Sequence, residues 1–104
     1  MFKVIGGNIY HTRGDTGRLN ITIRYEDGEE VKDYTAMFSV KKKLKDEEYL
    51  FQQEVKDGAI VITHDMTKNL PFGDYVYDIE VHTAEGEVQT IGPAEYHLTA
   101  DVTK

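Results

Sequence analysis

The sequence predicts an all-β fold, a sandwich of two sheets with about seven antiparallel strands. Runs in which apolar and polar residues alternate recur along the chain, and a period of two indicates strands that bury one face. Glycine-containing turn signals separate these runs, as is typical of all-β domains. Because the 104 residues match the length of one such domain, we expect a single domain over residues 1–104.

The first half of the chain provides four of the predicted strands, near residues 8–12, 18–25, 35–42 and 49–55. In the second of them, Leu19, Ile21 and Ile23 fall on one face, with polar residues between them. Phe38 and Val40 follow the same pattern in the third. Isoleucine, valine and aromatic residues pack well on a pleated surface, so the pattern favours strands.

The second half of the chain provides the other three, near residues 59–63, 74–83 and 88–99. Tyr75, Tyr77 and Ile79 share one face of the sixth strand, opposite to Val76, Asp78 and Glu80. Tyr96 and Leu98 share one face of the seventh. Each of these strands is therefore expected to bury one face against the opposite sheet.

The segments between the strands are expected to carry the crossings between the two sheets. Residues 26–34 would arch from one sheet to the other, and residues 64–73 would cross back before the sixth strand. A helical turn has one place in this arrangement, at residues 43–48, and it is too short to change the fold class.

A tyrosine at the start of the sixth predicted strand makes the architecture more specific. Leu70, a proline-containing turn, Gly73 and then Tyr75 form the pattern of a tyrosine corner. In such a corner the tyrosine hydroxyl bonds to the backbone a few residues upstream and fixes the crossover between the sheets. The sequence therefore predicts an immunoglobulin-like Greek-key β-sandwich, with Leu70, Gly73 and Tyr75 as structural residues.

Charge and cysteine content exclude several classes of partner and site. The formal net charge is −7, whereas nucleic acids and anionic membranes require a basic face, so we expect neither as a partner. The chain has no cysteine, and hence neither a disulfide nor a thiolate zinc site. No apolar run approaches the ~18 residues of a membrane span. The start is too short for a signal peptide, so we expect retention in the cytoplasm or release without a Sec signal.

The tripeptide Arg13-Gly14-Asp15 matches a cell-adhesion motif, but a turn explains it better. Three residues recur often by chance, and these stand directly before a predicted strand. An aspartate in such a position bonds local backbone N–H groups, and a glycine supplies the left-handed conformation that a β-carbon penalises. We therefore expect Gly14 and Asp15 to stabilise a turn and to bind no receptor.

The residue types that carry catalysis or bind metals form no recognisable site in the sequence. The histidines are His11, His64, His82 and His97. They lack metal-ligand spacing, and we interpret them as isolated surface residues. Ser39, the only serine, has no G-x-S-x-G elbow around it. Carboxylates such as Asp78 and Glu80 share a strand face, which a solvated acidic surface explains. We predict no catalytic residue, no metal, no cofactor and no enzyme.

The surface is then the remaining route to function. An antiparallel sandwich offers an edge strand, or a cluster of loops at one end. We expect the N-terminal strand to contribute Ile9 and Tyr10 to an interface, joined by the loop aromatics Tyr34 and Phe72. Aromatic side chains are enriched at protein interfaces because they bury a large area.

Several short motifs also occur in a familiar order. Residues 12–16 precede a strand, Asp27-Gly28 lies in the arch, and residues 38–41 make the next strand. The further motifs are residues 58–63, Thr67, Leu70, Gly73, Tyr75, residues 77–79, residues 88–92 and residues 100–103. In this order the chain resembles the small immunoglobulin-like domains of phages and prophages of Gram-positive bacteria. Over nearly its whole length it is similar to the N-terminal domain of the siphophage baseplate upper protein.

The resemblance implies a non-enzymatic structural protein of a phage or prophage, a tail or baseplate component of the virion that is made in the bacterial host cytoplasm. Its partner would be a tail or baseplate hub protein, and a homo-oligomer stays open. Such domains usually precede a coiled stalk, but no heptads follow here, which implies a stand-alone accessory protein or an excised domain. Two alternatives remain. One is a carbohydrate-binding or adhesive module that uses exposed tyrosines and acidic loops, and the other is a small hydrolase.

Overall fold

Eight strands and one short helix form the described part of the computed structural model, which covers residues 2–100. The strands are β1 (Phe2–Ile5), β2 (Asn8–Thr12), β3 (Gly17–Asn20), β4 (Tyr34–Lys41), β5 (Phe51–Glu54), β6 (Ala59–Ile62), β7 (Gly73–Thr83) and β8 (Val88–Thr99). The helix α1 (His64–Thr67) lies between β6 and β7. Residues 101–103, most of the last sequence motif, lie outside the described residues.

The strands form two sheets, and the prediction of an all-β fold is confirmed. The larger sheet has six strands in the order β1-β2-β8-β7-β4-β5, and the smaller sheet pairs β3 with β6. Every pair is antiparallel except β2 and β8, which run parallel. The eight described strands are close to the expected number of about seven, but the expectation that all strands are antiparallel is wrong for one pair.

Strand β1 is the element that the sequence pattern does not reveal. It pairs with β2 through a turn at Gly6 and Gly7, where φ is 57° and 85°. Its last two residues do not alternate, because Val4 and Ile5 are both exposed, by 41% and 56%. Alternation of apolar and polar residues reveals a strand that buries one face. It does not reveal a strand such as β1, in which consecutive apolar residues are exposed.

The predicted strand at residues 18–25 is shorter in the structure, because β3 ends at Asn20. Beyond that point the chain leaves the ladder but keeps its hydrogen bonds. The N–H of Ile21 donates to the carbonyl of Gly58 at 2.8 Å, and the carbonyl of Ile23 accepts from Val31 at 2.7 Å. Both isoleucines pack against the core, which explains why their alternation resembles that of a strand.

The expected helical turn at residues 43–48 is wrong, since this segment forms a turn instead. The backbone N–H of Lys43 donates to the side chain of Asp46 at 3.1 Å, and the N–H of Asp46 donates to the carbonyl of Lys43 at 3.0 Å. A short aspartate side chain that binds backbone in this way competes with helix formation. The one described helix is α1, in the segment that crosses between the sheets.

The crossings between the sheets lie where the sequence places them. Residues 21–33, which contain most of the predicted arch, connect β3 of the smaller sheet to β4 of the larger, and residues 63–72 connect β6 to β7. Between the sheets lies the core, formed by these buried residues: Ile9, Ala36, Phe38, Val40, Val55, Ile60, Ile62, Tyr75, Tyr77, Ile79, Val81, Tyr96 and Leu98. The ring of Phe38 lies at its centre, 5.2 Å from that of Tyr77 and 6.2 Å from that of Phe51.

The number of strands that pair with β8 changes along its length. Residues 96–98 pair with both β7 and β2, whereas residues 88–91 pair with β7 alone. An irregularity separates the two parts, because Gly92 and Pro93 together lie opposite Asp78 of β7. A bulge of this kind bends a strand and changes its twist. This division of β8 creates the surface described next.

Candidate interaction surface

The first half of β8 presents an open edge, which we define as residues 88–93. Among residues 2–100 no strand pairs with its outer side, because β2 begins at Asn8 and turns away into β1. The N–H of Thr83 donates to the carbonyl of Glu87 at 2.9 Å, so Thr83 and Glu87 are a hydrogen-bonded pair at the end of the ladder between β7 and β8. Hydrogen-bonded and non-hydrogen-bonded pairs alternate along an antiparallel ladder. Val88 and Thr90 belong to non-hydrogen-bonded pairs, so their backbone N–H and C=O groups point towards the open side.

Beside the open edge lies a cleft of about 760 Å³ between β8 and the arch that follows β3. Its apolar lining comes from Ile23, Val31, Val81 and Ile91. Val81 and Val31 are buried, but Ile91 is 45% exposed although it shares the inward face with the buried Ile79 opposite it. The smaller sheet therefore leaves part of the larger sheet's inner face uncovered at this end.

Carboxylates surround the mouth of the cleft, and we call Glu26, Asp27, Glu85 and Glu87 the acidic rim. The hydroxyl of Tyr25, which also lines the cleft, donates to the carboxylate of Glu85 at 3.3 Å. Desolvation and the nearby carboxylates of the rim, with Glu85 foremost, raise the pKa of Tyr25. The phenol therefore stays protonated and keeps donating over the physiological range.

The N-terminal residues predicted for an interface lie elsewhere, and Ile9 is wrong. Its side chain is completely buried, because β2 is an inner strand of the larger sheet and Ile9 faces the core beside Tyr96. The true edge is β1, which covers β2 on its other side. Tyr10 faces outward and is half-buried, with its ring stacked on that of His97 at 4.8 Å.

The two loop aromatics lie at opposite ends of the larger sheet. Tyr34 is half-buried opposite Thr83 and packs against the core. Phe72 is 47% exposed, and the guanidinium of Arg13 lies 4.0 Å from the centre of its ring, a cation–π contact. The four predicted interface residues therefore do not form one surface.

The residues predicted for a tyrosine corner do have its geometry. The hydroxyl of Tyr75 donates to the carbonyl of Pro71 at 2.5 Å, and the side chain is 2% exposed. Leu70 packs against the core just before it. Gly73, the first residue of β7, has a φ of 152°, in the region that favours glycine. Burial raises the pKa of Tyr75, which keeps its hydroxyl available as a donor.

The turn predicted around Gly14 and Asp15 is held by α1 across the sandwich. Gly14 is buried with a φ of 81°, and its N–H donates to the hydroxyl of Thr67 at 2.8 Å. The carbonyl of Gly14 accepts from Nδ1 of His64 at 2.6 Å. The N–H of Asp15 donates to the carbonyl of Thr12 at 3.1 Å, which closes the turn. This tripeptide is part of the internal hydrogen-bond network.

A buried histidine is the polar feature that the sequence does not reveal. His11 is completely buried, so its interpretation as a surface residue is wrong. Its Nε2 donates to the carbonyl of Asp15 at 2.7 Å, which in the neutral ring leaves Nδ1 to accept from the hydroxyl of Tyr96. Burial strongly raises the pKa of Tyr96, so this hydroxyl stays protonated. The bond joins β2 to β8 inside the core.

His97 is not isolated either, although it lies on the outer face of the larger sheet. Its Nδ1 lies 2.6 Å from Oδ1 of Asp74, and its Nε2 lies 3.2 Å from Oε2 of Glu95. Both nitrogens lie beside carboxylates, which favours the charged ring, because only the imidazolium can donate from both nitrogens. The hydrogen bond with Asp74 is the largest cause that raises the pKa of His97.

No group of three or more His, Asp or Glu side chains within residues 2–100 has an arrangement that could hold a metal ion. Over the same residues no helix is long and apolar enough to cross a membrane. What the described surface offers is an unpaired strand edge, an apolar cleft and a ring of carboxylates. Comparison of the chain with models of protein families, with curated proteins and with solved structures finds no match.

Proposed function

We propose that this chain is a non-enzymatic structural module that acts through protein–protein contacts. The observation that supports this best is the open edge, which combines unpaired backbone groups with an apolar cleft. Exposed strand edges are templates for pairing with another chain, and natural proteins usually cover or charge them. Residues 88–93 carry no charged side chain. Such a surface is suited to binding a partner.

The immunoglobulin-like Greek key belongs to this proposal as its architectural part. It is supported by the parallel pairing of β2 with β8, by the separate pairing of β3 with β6, and by the Tyr75 hydrogen bond. Immunoglobulin-like domains serve many unrelated functions, so the architecture favours a binding role only together with the surface.

The proposed setting is the tail or baseplate of a phage or prophage, with a hub protein as the partner and the virion as the location. This part rests on the order of the sequence motifs. Gly14 and Tyr75, which belong to those motifs, have structural roles that would be shared by related domains. A contact role in a multiprotein assembly needs no metal, cofactor or catalytic group.

The test is co-purification of the full chain with the tail proteins encoded beside its gene, followed by detection of the chain in purified virions. We expect a stable complex with a tail or hub protein. A double variant, Ile91→Lys with Val88→Lys, should weaken the complex, because it places two charges on the open edge and at the cleft. The matched control, Leu44→Lys with Tyr49→Lys, alters an exposed apolar loop elsewhere and should leave the complex intact.

A carbohydrate-binding or adhesive module is the alternative that the same experiment separates. Tyr49 is 50% exposed and could stack on a sugar, although the ammonium of Lys41 lies 4.9 Å from the centre of its ring. Absence from virions, together with tight binding to a defined glycan that Tyr49→Ala abolishes, would replace the structural role by this one.

A further inference from the structure

We propose that the open edge binds an added β-strand of a partner protein, and that this strand has apolar residues facing the cleft and basic residues at the end that lies beside Val88. The inference rests on the proposed function, because it names the surface and the partner chemistry of the same contact role. It follows from three independent properties of the described residues: backbone groups, side-chain space and charge.

The backbone of the open edge provides the hydrogen bonds. The N–H and C=O groups of Val88 and Thr90 point outward, because both residues alternate with the hydrogen-bonded position at Glu87. An added strand would lie in line with β2, which pairs with the same side of β8 at residues 96–99. The six residues of the edge span about 20 Å at roughly 3.3 Å per residue, enough for one short strand.

The cleft provides space for every second side chain of the added strand. Side chains alternate between the faces of a sheet, so those on the inner face of an added strand would lie beside Ile91. There they would contact Ile23 across the cleft, which is about 760 Å³ in volume. Apolar side chains at these positions would cover Ile91, whose exposure of 45% is high for an inward-facing residue.

The acidic rim determines the charge of the partner. Glu26, Asp27 and Glu87 line the cleft, and Glu85 reaches it through its bond to Tyr25. Arg24 is the one basic residue in this lining, and its guanidinium donates to the carbonyl of Gly28 at 3.0 Å. Lysine or arginine at the end of the partner strand that lies beside Val88 would neutralise the rim, and complementary charge also speeds association.

The same charges disfavour a second copy of this chain as the occupant. Each copy would bring its own acidic rim, and the net charge of −7 opposes self-association. The edge sequence itself, residues 88–93, contributes no basic residue to pair with the rim of another copy. A partner of opposite charge meets both requirements.

The experiment titrates the isotopically labelled full chain with an acetylated and amidated octapeptide that has two lysines at each end and four valines between them, followed by NMR. We expect shifts of the amide signals along residues 88–91 and slower hydrogen exchange at Val88 and Thr90. A control octapeptide with glutamate in place of lysine should bind at least about tenfold more weakly, because it meets the acidic rim with like charge.

Two variants separate backbone pairing from simple attraction by charge. Thr90→Pro removes an outward N–H and leaves the ladder with β7 intact, since proline is tolerated at an open edge. We expect it to weaken binding of the lysine octapeptide by about tenfold. Glu87→Lys should also weaken binding, whereas the same exchange at Glu54, on β5 at the far edge of the sheet, should not.

The outcomes distinguish this inference from the proposed function. Equal binding of both octapeptides, or unchanged binding to Thr90→Pro, overturns the added strand. A dimer in analytical ultracentrifugation that Thr90→Pro disrupts replaces the partner strand by a second copy. If the lysine octapeptide does not bind but the chain co-purifies with tail proteins, the inference fails and the proposed function stands. If it binds while the chain is absent from virions, the inference stands and the phage role fails.

Discussion

The two halves of β8 pair with the same strand, β7, but lie in opposite environments. Tyr96 and Leu98, in the second half, are 0% and 2% exposed, between β7 on one side and β2 on the other. Val88 and Ile91, in the first half, are 53% and 45% exposed, with β7 as their only strand neighbour among the described residues. The number of neighbouring strands and the cover of the smaller sheet therefore decide how deeply an inward-facing side chain such as Leu98 or Ile91 is buried.

The largest expected difference between the halves is in packing energy. Leu98→Ala should lower the free energy of unfolding by about 2–5 kcal/mol, because it leaves a cavity in a closed core. Ile91→Ala should lower it by about 1 kcal/mol or less, since half of that side chain is already in water. Urea denaturation measures both. Equal losses would show that the first half of β8 is covered in solution.

The junction between the halves should be the next most sensitive point. A β-carbon on Gly92 would lie 3.2 Å from the carbonyl oxygen of Tyr77, with φ at +105°. We expect Gly92→Ala to destabilise the fold by about 1–3 kcal/mol through backbone strain. Gly86 is the matched control, because its φ is +90° but a β-carbon there meets open space. A smaller loss of melting temperature at Gly92 than at Gly86 would contradict the close contact.

The corner residue beside the enclosed half tests how that half is anchored. Tyr75→Phe should cost about 1–2 kcal/mol, because the partly buried carbonyl of Pro71 loses the hydroxyl that it accepts from. Tyr49→Phe, at a half-exposed ring, should change stability by no more than about 0.5 kcal/mol. Denaturation midpoints are sufficient for the comparison. An unchanged midpoint for Tyr75→Phe would show that the tyrosine corner does not stabilise the fold.

The smallest expected effect is the pH dependence at His97, on the outer face of the enclosed half. Because the bonds to Asp74 and Glu95 raise its pKa in the folded state, its contribution to stability is complete below about pH 6.5. That contribution is lost as the pH rises through the raised folded value. NMR titration should show the pKa of His97 falling in Asp74→Asn, whereas Asp78→Asn on the same strand face should leave it unchanged.

Local patterns in the sequence are sufficient for the elements whose partners are close in the chain. The spacing of Leu70, Gly73 and Tyr75 predicts the corner, because the hydroxyl of Tyr75 bonds only four residues upstream. Gly14 is predictable for a similar reason, since a left-handed turn before a strand requires glycine. The two crossings between sheets also follow from the positions of the strands.

The candidate surface depends on partners that are far apart in the chain, and alternation does not contain that information. Ile9 belongs to an inner strand only because β1 folds back over β2, and β1 has no pattern of its own. The open edge at residues 88–93 exists because β2 starts too late to cover it. The burial of His11 likewise depends on Tyr96, 85 residues away. Each of these follows from strand order.

The parallel pairing of β2 with β8 also sets an order of events during synthesis. The hydrogen bond between His11 and Tyr96 spans 85 residues, so the ribosome must release Tyr96 before β2 finds its inner neighbour. Until then the apolar face of β2 can pack only against strands that precede β8 in the chain. Folds with such distant pairings close slowly, in about milliseconds to seconds. The enclosed half of β8 is therefore expected to complete the domain after the other strands are assembled.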